Sequence, residues 1–330
     1  MLILTAQDVR RALPLETAIA GMKHAFAALS RGDAVIPLRV RLPVASRNAA
    51  ALLMPAYVPG ADGDAQSDAL AVKVVTLYPE NIPAGRPLIH AAVLVMDART
   101  GQMLALLEGS SLTAIRTGAA SGAATDLLAR PDARIAAIFG SGAQARTQLE
   151  AICAVRPLAE VRIYSRERAH ARSFVEAMRP LVPVKLLEAA SPREAMEGVD
   201  LICTATTSIS PVFEDDHVPA GIHINGVGSY TPEMIEIPPL TIARALTVVD
   251  SLTACQAEAG EIIRAVALGG KAWAQVAELG AIINGTTPGR TSAEQITFFK
   301  SVGVAVQDAV AAQITLENAA RLGLGQEVNW

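Results

Sequence analysis

The chain lacks most of what would tie it to a disulfide scaffold, a metal, a membrane or a nucleic acid. Of its 330 residues only three are cysteine. Cys153, Cys203 and Cys255 are odd in number, far apart and set among apolar neighbours, which fits buried reduced thiols rather than disulfides or a metal site. No stretch approaches the roughly 18 consecutive apolar residues of a membrane helix, so the hydrophobic content of 51% is spread through short runs. Neither sign of charge dominates: the formal net charge of -4 argues against nucleic acid as a main partner. The opening residues, MLILTAQDVRRAL, lack a basic n-region and a cleavage site, so no signal peptide and a cytoplasmic location are expected. Repeats and low-complexity tracts are absent, and Pro59 to Asp68 (PGADGDAQSD) reads as a surface loop. The length suffices for two domains with proper cores.

What is present is concentrated in Ile135 to Arg146, IAAIFGSGAQAR. A short apolar run rich in β-formers ends at Gly140-Ser141-Gly142 and enters Ala143-Gln144-Ala145-Arg146, a good helix start. Strand, tight glycine turn and helix N-terminus together hold a dinucleotide pyrophosphate. Gly140 permits the turn, Gly142 lets the backbone approach the phosphates, and Ala145 keeps helix and strand close. The helix start adds free N–H groups and a partial positive charge. Such a motif alone matches many ordinary turns, but the chain after it alternates strand and helix. Strands are expected at Val161–Tyr164, Val184–Leu187, Asp200–Thr204, Ile222–Asn225 and Leu246–Val249, with a helix over Glu167–Met178. That pattern predicts an α/β fold, a Rossmann-type doubly wound parallel sheet with its ligand at the carboxyl ends of the strands.

The end of the second strand separates NAD from NADP. An acidic residue there would bind the ribose 2′-hydroxyl and repel a 2′-phosphate. Here Ser165 holds that position and Arg166 follows it, so NADP(H) is expected as the preferred cofactor, with NAD(H) possible through Glu167.

Residues before about 115 follow a different pattern. Leu15 to Ser30 is an amphipathic helix, and strand-like segments follow near Val35–Leu42, Ala50–Met54, Leu70–Leu77 and Ala91–Asp97. These suggest one mostly antiparallel sheet, an α+β domain. Thr291-Ser-Ala-Glu294 resembles a capping box opening a long terminal helix from about residue 293 to 322. The expected organisation is a first domain over 1–115, completed by the C-terminal helix (305–330), and a dinucleotide-binding domain over 116–304. Lys73 falls inside an apolar strand, where an unpaired ammonium would be costly, so a partner or ligand is expected. His90 and His223 read as structural, and Trp273 and Trp330 as packing residues.

Along essentially its whole length the chain resembles the ornithine cyclodeaminase/μ-crystallin family. The residues that carry this are Met54-Pro55-Ala56-Tyr57, Lys73 with Asn81-Ile-Pro-Ala-Gly85, the Asp97–Gly101 turn and Leu112-Thr-Ala-Ile-Arg-Thr117. FGSGAQAR, Gly221-Ile-His-Ile-Asn-Gly-Val-Gly228 and Phe299-Lys-Ser-Val-Gly303 complete the set. The resemblance implies an NAD(P)-dependent homodimer, paired through the N-terminal sheet, whose active site lies between that sheet and the Rossmann domain. It also implies substrates that are amino acids or cyclic imino acids. Arg39 and Lys73 then match a carboxylate-binding pair, with Met54 at the substrate, and Arg41 is the residue most easily confused with Arg39. Arg116 and Thr117 match a pair that meets cofactor phosphate near the active site. Ala143 and Gln144 fall at the pyrophosphate, Ser165 and Arg166 at the adenosine ribose, and Thr204 and Thr206 along the dinucleotide edge. Asn225, Val227 and Gly228 pass near the nicotinamide, with Ser301 a weaker candidate.

One departure bears on the reaction. Cyclodeaminases and the related alanine dehydrogenases carry an Asp where this chain has Tyr230, in Gly226-Val-Gly-Ser-Tyr-Thr-Pro-Glu-Met234. A phenol, with an ordinary pKa near 10, cannot offer a carboxylate's charge to an ammonium. The resemblance therefore points to reduction of a cyclic ketimine, Δ1-pyrroline-2-carboxylate to L-proline or its six-membered analogue to L-pipecolate. In that reading Tyr230 is a conceivable proton donor. An alanine- or arginine-type dehydrogenase, an ornithine cyclodeaminase and an NADPH-dependent ligand-binding protein are the alternatives.

Overall fold

The computed structural model describes residues 1–61, 64–65 and 67–329. Trp330 and part of the Pro59–Asp68 loop lie outside the described residues. In chain order the strands are β1 (Leu2–Leu4), β2 (Val40–Val44), β3 (Ala49–Val58), β4 (Ala69–Leu77), β5 (Ile89–Met96), β6 (Met103–Glu108) and β7 (Ile135–Phe139). They continue with β8 (Glu160–Tyr164), β9 (Lys185–Glu188), β10 (Leu201–Thr204), β11 (His223–Gly226), β12 (Leu246–Val249), β13 (Val276–Glu278), β14 (Thr297–Lys300) and β15 (Gln326–Glu327). The chain divides into two compact units, Met1–Arg116 with the segment from Val304 onward, and Thr117–Gly303.

The first unit holds a seven-stranded sheet in the order β15-β1-β6-β5-β4-β3-β2. The four segments expected from the sequence form its antiparallel heart. The region near Val35–Leu42 is corrected: the strand is β2, starting at Val40, and only Val35 makes an isolated bridge, to Tyr57. Pro37 has no N–H to offer a ladder. Alternation along the strands divides the sheet faces. On β3 and β4 the row Leu52, Met54, Ala56 and Ala71, Lys73, Val75 is buried, beneath the helix Ala305–Leu322 that packs on β3, β4 and β5. The opposite face exposes an apolar row instead, since Val40 pairs with Leu53 and Leu53 with Val74.

The second unit holds an eight-stranded, all-parallel sheet in the order β13-β12-β14-β11-β10-β7-β8-β9. The chain runs outward from β7 to β9, returns beside β7 with β10, and builds the other half. The switch point therefore lies between β7 and β10, where a doubly wound sheet opens its ligand crevice. The five strands expected after the glycine turn are present within a residue or two. The long terminal helix is corrected: it spans Ala305–Leu322, not 293 onward. Thr291–Glu294 opens no helix; the Thr291 N–H is held by the Gln295 side chain at 2.8 Å. The aromatic and β-branched residues that follow, Ile296-Thr-Phe-Phe, instead enter the sheet as β14 between β11 and β12. Trp273 packs against the core of this unit. Among the described residues no helix is long and apolar enough to cross a membrane.

Candidate active site

In the first unit Lys73 is 2% exposed, beside Met54 by register. Its Nζ lies 2.6 Å from Asp308 Oδ2, so the ion pair expected of a lysine in an apolar strand is present. Asp308 Oδ1 accepts from Arg116 Nε at 2.8 Å, and Arg116 Nη1 donates to Gln307 Oε1 at 2.8 Å. Gln307 in turn caps its own helix, accepting from the Val304 N–H at 2.9 Å. Arg116 lies inside the helix Gly109–Leu128 and is buried, which excludes a solvated helix-end arginine. Arg39 stands just before β2 and is half-buried, whereas Arg41 is exposed. Continuing the β2–β3 register by one residue puts Arg39 opposite Met54, and its charge reaches Lys73.

The electrostatics of this cluster follow from the count of charges. Burial pushes the Lys73 ammonium down, Asp308 pulls it up, and the cations Arg116 and Arg39 push it down again, to about 8. Burial works against the Asp308 carboxylate, but Arg116 and Lys73 outweigh it and hold its pKa below the ordinary value. Two buried cations, Lys73 and Arg116, thus share the carboxylate of Asp308, with the charge of the half-buried Arg39 reaching Lys73. Asp308 and Gln307 escaped the sequence reading. The available signal was an acid inside the apolar run Ala305-Val-Gln-Asp-Ala-Val-Ala-Ala, where a carboxylate needs a partner.

In the second unit the glycine turn closes β7. Gly140 has φ +111°, and a Cβ there would sit 2.6 Å from the Ala205 carbonyl oxygen. A Cβ on Gly142 would meet nothing within 4 Å. Gly142 is also the N-cap of the helix Ala143–Val155 and supplies no side-chain cap to its first N–H groups. Ala145 is buried, and Gly118 lies so close to this helix that a Cβ would fall 2.4 Å from the Thr147 carbonyl oxygen. The Thr117 carbonyl accepts from Gln148 Nε2 at 3.2 Å.

A crevice of about 530 Å³ opens at the switch point, lined by Gly140, Ser141, Ser165, Arg166, Thr206 and Ser208 among others. Ser141 Oγ donates to Ser165 Oγ at 3.2 Å, tying the two loops. Two buried polar atoms near it, Gln144 Oε1 and Thr204 Oγ1, have no hydrogen-bond partner among the described residues. An uncapped helix start, a glycine bordering free space and orphaned polar atoms fit a dinucleotide.

Other expected residues are placed differently. The Asn225 amide faces inward, donating to Thr125 Oγ1 at 2.9 Å and meeting His223 Nε2 at 3.1 Å. The N–H groups of Val227 and Gly228 are likewise held within the unit, by the Thr204 carbonyl at 3.0 Å and Glu236 Oε2 at 2.8 Å. His223 is fully buried, with its Nδ1 2.9 Å from Thr297 Oγ1; burial, with the Arg290 charge, pushes it down to about 3, so it stays neutral. His90 is exposed on β5. The Ser301 hydroxyl donates to Asp250 Oδ2 at 2.8 Å. Tyr230 is half-buried in the loop after β11.

The second unit is a dinucleotide-binding domain in architecture, and the first buries two cations on one carboxylate, Lys73 and Arg116 on Asp308. Residues 1–322 match the ornithine cyclodeaminase/mu-crystallin family, and the chain belongs to that family. It is 39% identical to the Δ1-pyrroline-2-carboxylate reductase of Bacillus cereus over 332 residues, covering all of both chains. The structure of Thermococcus litoralis Δ1-pyrroline-2-carboxylate reductase in complex with NADH and L-proline superimposes with a TM-score of 0.94 at 40% identity, over 99% of this chain and 100% of that one. An archaeal alanine dehydrogenase dimer with bound NAD gives a TM-score of 0.91 at 30% identity, over 100% and 99% of the two chains.

Proposed function

We propose that the chain is an NAD(P)-dependent oxidoreductase that reduces a cyclic ketimine carboxylate, Δ1-pyrroline-2-carboxylate to L-proline, and by the same chemistry the six-membered ring to L-pipecolate. The observation that carries this reading is the buried pair of cations, Lys73 and Arg116, on the carboxylate of Asp308, with the Arg39 charge reaching Lys73. A planar ring with one carboxylate would be held by these cations, and a fixed carboxylate orients the imine carbon for attack. A nicotinamide held in the crevice would supply the hydride for the new C–H bond, and the imine nitrogen must take a proton. Lys73, charged below about pH 8, and the Tyr230 phenol are the donors this chain offers. Tyr230 in the aspartate's place removes the counter-ion that a side-chain ammonium of ornithine would need. The reductases of Bacillus cereus and Thermococcus litoralis support the substrate class.

For the cofactor, Gly140, Gly142, Ala143 and Gln144 would hold the pyrophosphate at the helix start. Ser165 and Arg166 line the crevice and would meet the adenosine ribose, and with no acid at Ser165 we favour NADPH over NADH. The expected preference is a higher kcat/KM with NADPH, and Ser165→Asp should reverse it by roughly tenfold or more through repulsion of the 2′-phosphate. Equal use of both cofactors by the wild type would remove this part of the proposal. The exposed apolar face of the first unit's sheet is proposed as a homodimer interface.

The reaction is tested by following NADPH and NADH oxidation with Δ1-pyrroline-2-carboxylate, beside an NAD-linked run with L-ornithine. Proline from the imine and no ammonia from ornithine are expected. Ammonia and proline from ornithine would overturn the reading of Tyr230, and turnover of L-alanine alone would move the chain to the dehydrogenases.

A further inference from the structure

Glu236 lies in the loop between β11 and the helix Pro239–Arg244, outside every motif in the sequence. Its carboxylate is fully buried, and donors from two loops occupy both oxygens. Oε1 accepts from the Thr206 N–H at 2.6 Å and the Thr206 hydroxyl at 2.8 Å. Oε2 accepts from the N–H groups of Gly228 at 2.8 Å and Ser229 at 3.0 Å. The two loops leave the carboxyl ends of neighbouring parallel strands, β10 and β11, where Thr204 pairs with Gly226. Their backbones approach so closely that a Cβ on Gly228 would sit 2.2 Å from both Thr206 N and Thr206 O. The Ile235 N–H to Ser208 O and Val212 N–H to Glu236 O bonds, both 2.9 Å, run beside the clasp.

Two more buried charges stand behind it. Lys300 Nζ donates to the Ser229 carbonyl at 2.6 Å and lies 3.2 Å from Glu261 Oε1, and the Ser229 hydroxyl donates to Glu261 at 2.7 Å. Two carboxylates and one ammonium without water are a costly way to close a loop that apolar side chains could close as well. Thr206 meanwhile forms part of the crevice wall at the switch point.

We infer that Glu236 is a positioning residue for the dinucleotide, clasping the β10 and β11 loops so that their shared edge fits the cofactor. The inference rests on the crevice being the dinucleotide site. A glutamine at this position has the same shape, but its amide nitrogen turns donor against donor on one of the two loops and releases it. The Thr206 hydroxyl spends its hydrogen on Glu236 and accepts from the Ser208 N–H at 3.2 Å, so it has no hydrogen left to donate to a cofactor.

The test is titration of the full chain with NADPH and NADH by nucleotide fluorescence, without substrate, for the wild type, Glu236→Gln, Glu236→Asp and Thr206→Val. Glu236→Gln is expected to weaken nucleotide binding at least tenfold, with Glu236→Asp in between and Thr206→Val weaker by about threefold. In turnover the nucleotide KM should rise while the imine KM stays within twofold, a split that general loss of stability would not produce. A folded Glu236→Gln with wild-type affinity overturns the inference. Should that variant fail to fold, Thr206→Val decides, and unchanged affinity there overturns it too. A wild type that binds no nucleotide overturns the crevice assignment and the inference together. Because the readout needs no turnover, failure of the proposed reaction leaves it intact.

Discussion

The pairing of Lys73 with Asp308 carries a pH prediction for the proposed carboxylate site. The ammonium titrates near 8 because burial and two guanidinium groups oppose one carboxylate. Below that value it is charged and above it the charge is lost, so if Lys73 binds the substrate carboxylate as proposed, kcat/KM for the imine is expected to fall as pH rises through about 8. Asp308→Asn removes the only contribution that raises the Lys73 pKa. The alkaline limb of the profile should then move to lower pH, while truncating one partner of a buried pair costs stability on the order of 3–5 kcal/mol. Circular dichroism of the variant separates the two effects. A folded Asp308→Asn enzyme whose limb stays in place would show that Lys73 does not govern that limb.

At the scale of elements, the glycine turn makes opposite demands at its two glycines. Gly140 is required by the fold, since its φ of +111° and the Ala205 carbonyl leave no room for a side chain. Gly142 has φ -84° and open space beside it, so alanine is tolerated by the chain and opposed only by a phosphate. Gly142→Ala should therefore melt near the wild-type temperature yet bind NADPH at least tenfold more weakly, and wild-type affinity would place the pyrophosphate elsewhere. This turn was legible because its chemistry is local: strand, turn and helix start lie within twelve consecutive residues, and the strands after it are short apolar runs between helices. The partners of the site were not legible. Asp308 stands 192 residues from Arg116, and Glu236 meets Thr206 across 30, so only helix packing in the one case and sheet order in the other bring them together. The capping pattern at Thr291 misled for a related reason: four residues of helix signal yielded to Thr297-Phe-Phe, which the parallel sheet takes up between β11 and β12.

For the molecule as a whole, the sheet of the first unit poses the remaining problem. An antiparallel sheet with one free face usually alternates apolar inward and polar outward. Here the outward row is apolar as well: Val40, Leu53 and Val74 are neighbours across three strands and expose 58%, 37% and 42% of their surface, with Leu42 on the same face at 57%. The buried row beneath them carries Met54 and Lys73, so the strands that position the carboxylate site also present this patch. A contiguous apolar face on a sheet is a surface for another protein, and a twofold axis lets the same face cover itself. Light scattering of the wild type should give twice the 34.4 kDa of one chain. Val74→Lys and Leu53→Glu, each placing a charge at the centre of the patch, should give the single-chain mass with unchanged helix and strand content. Because Val74 follows Lys73 directly, the monomeric variants should also lose affinity for the imine more than for NADPH. A wild type that runs as a monomer, or variants that remain dimeric, would assign the patch to something other than a second copy of this chain.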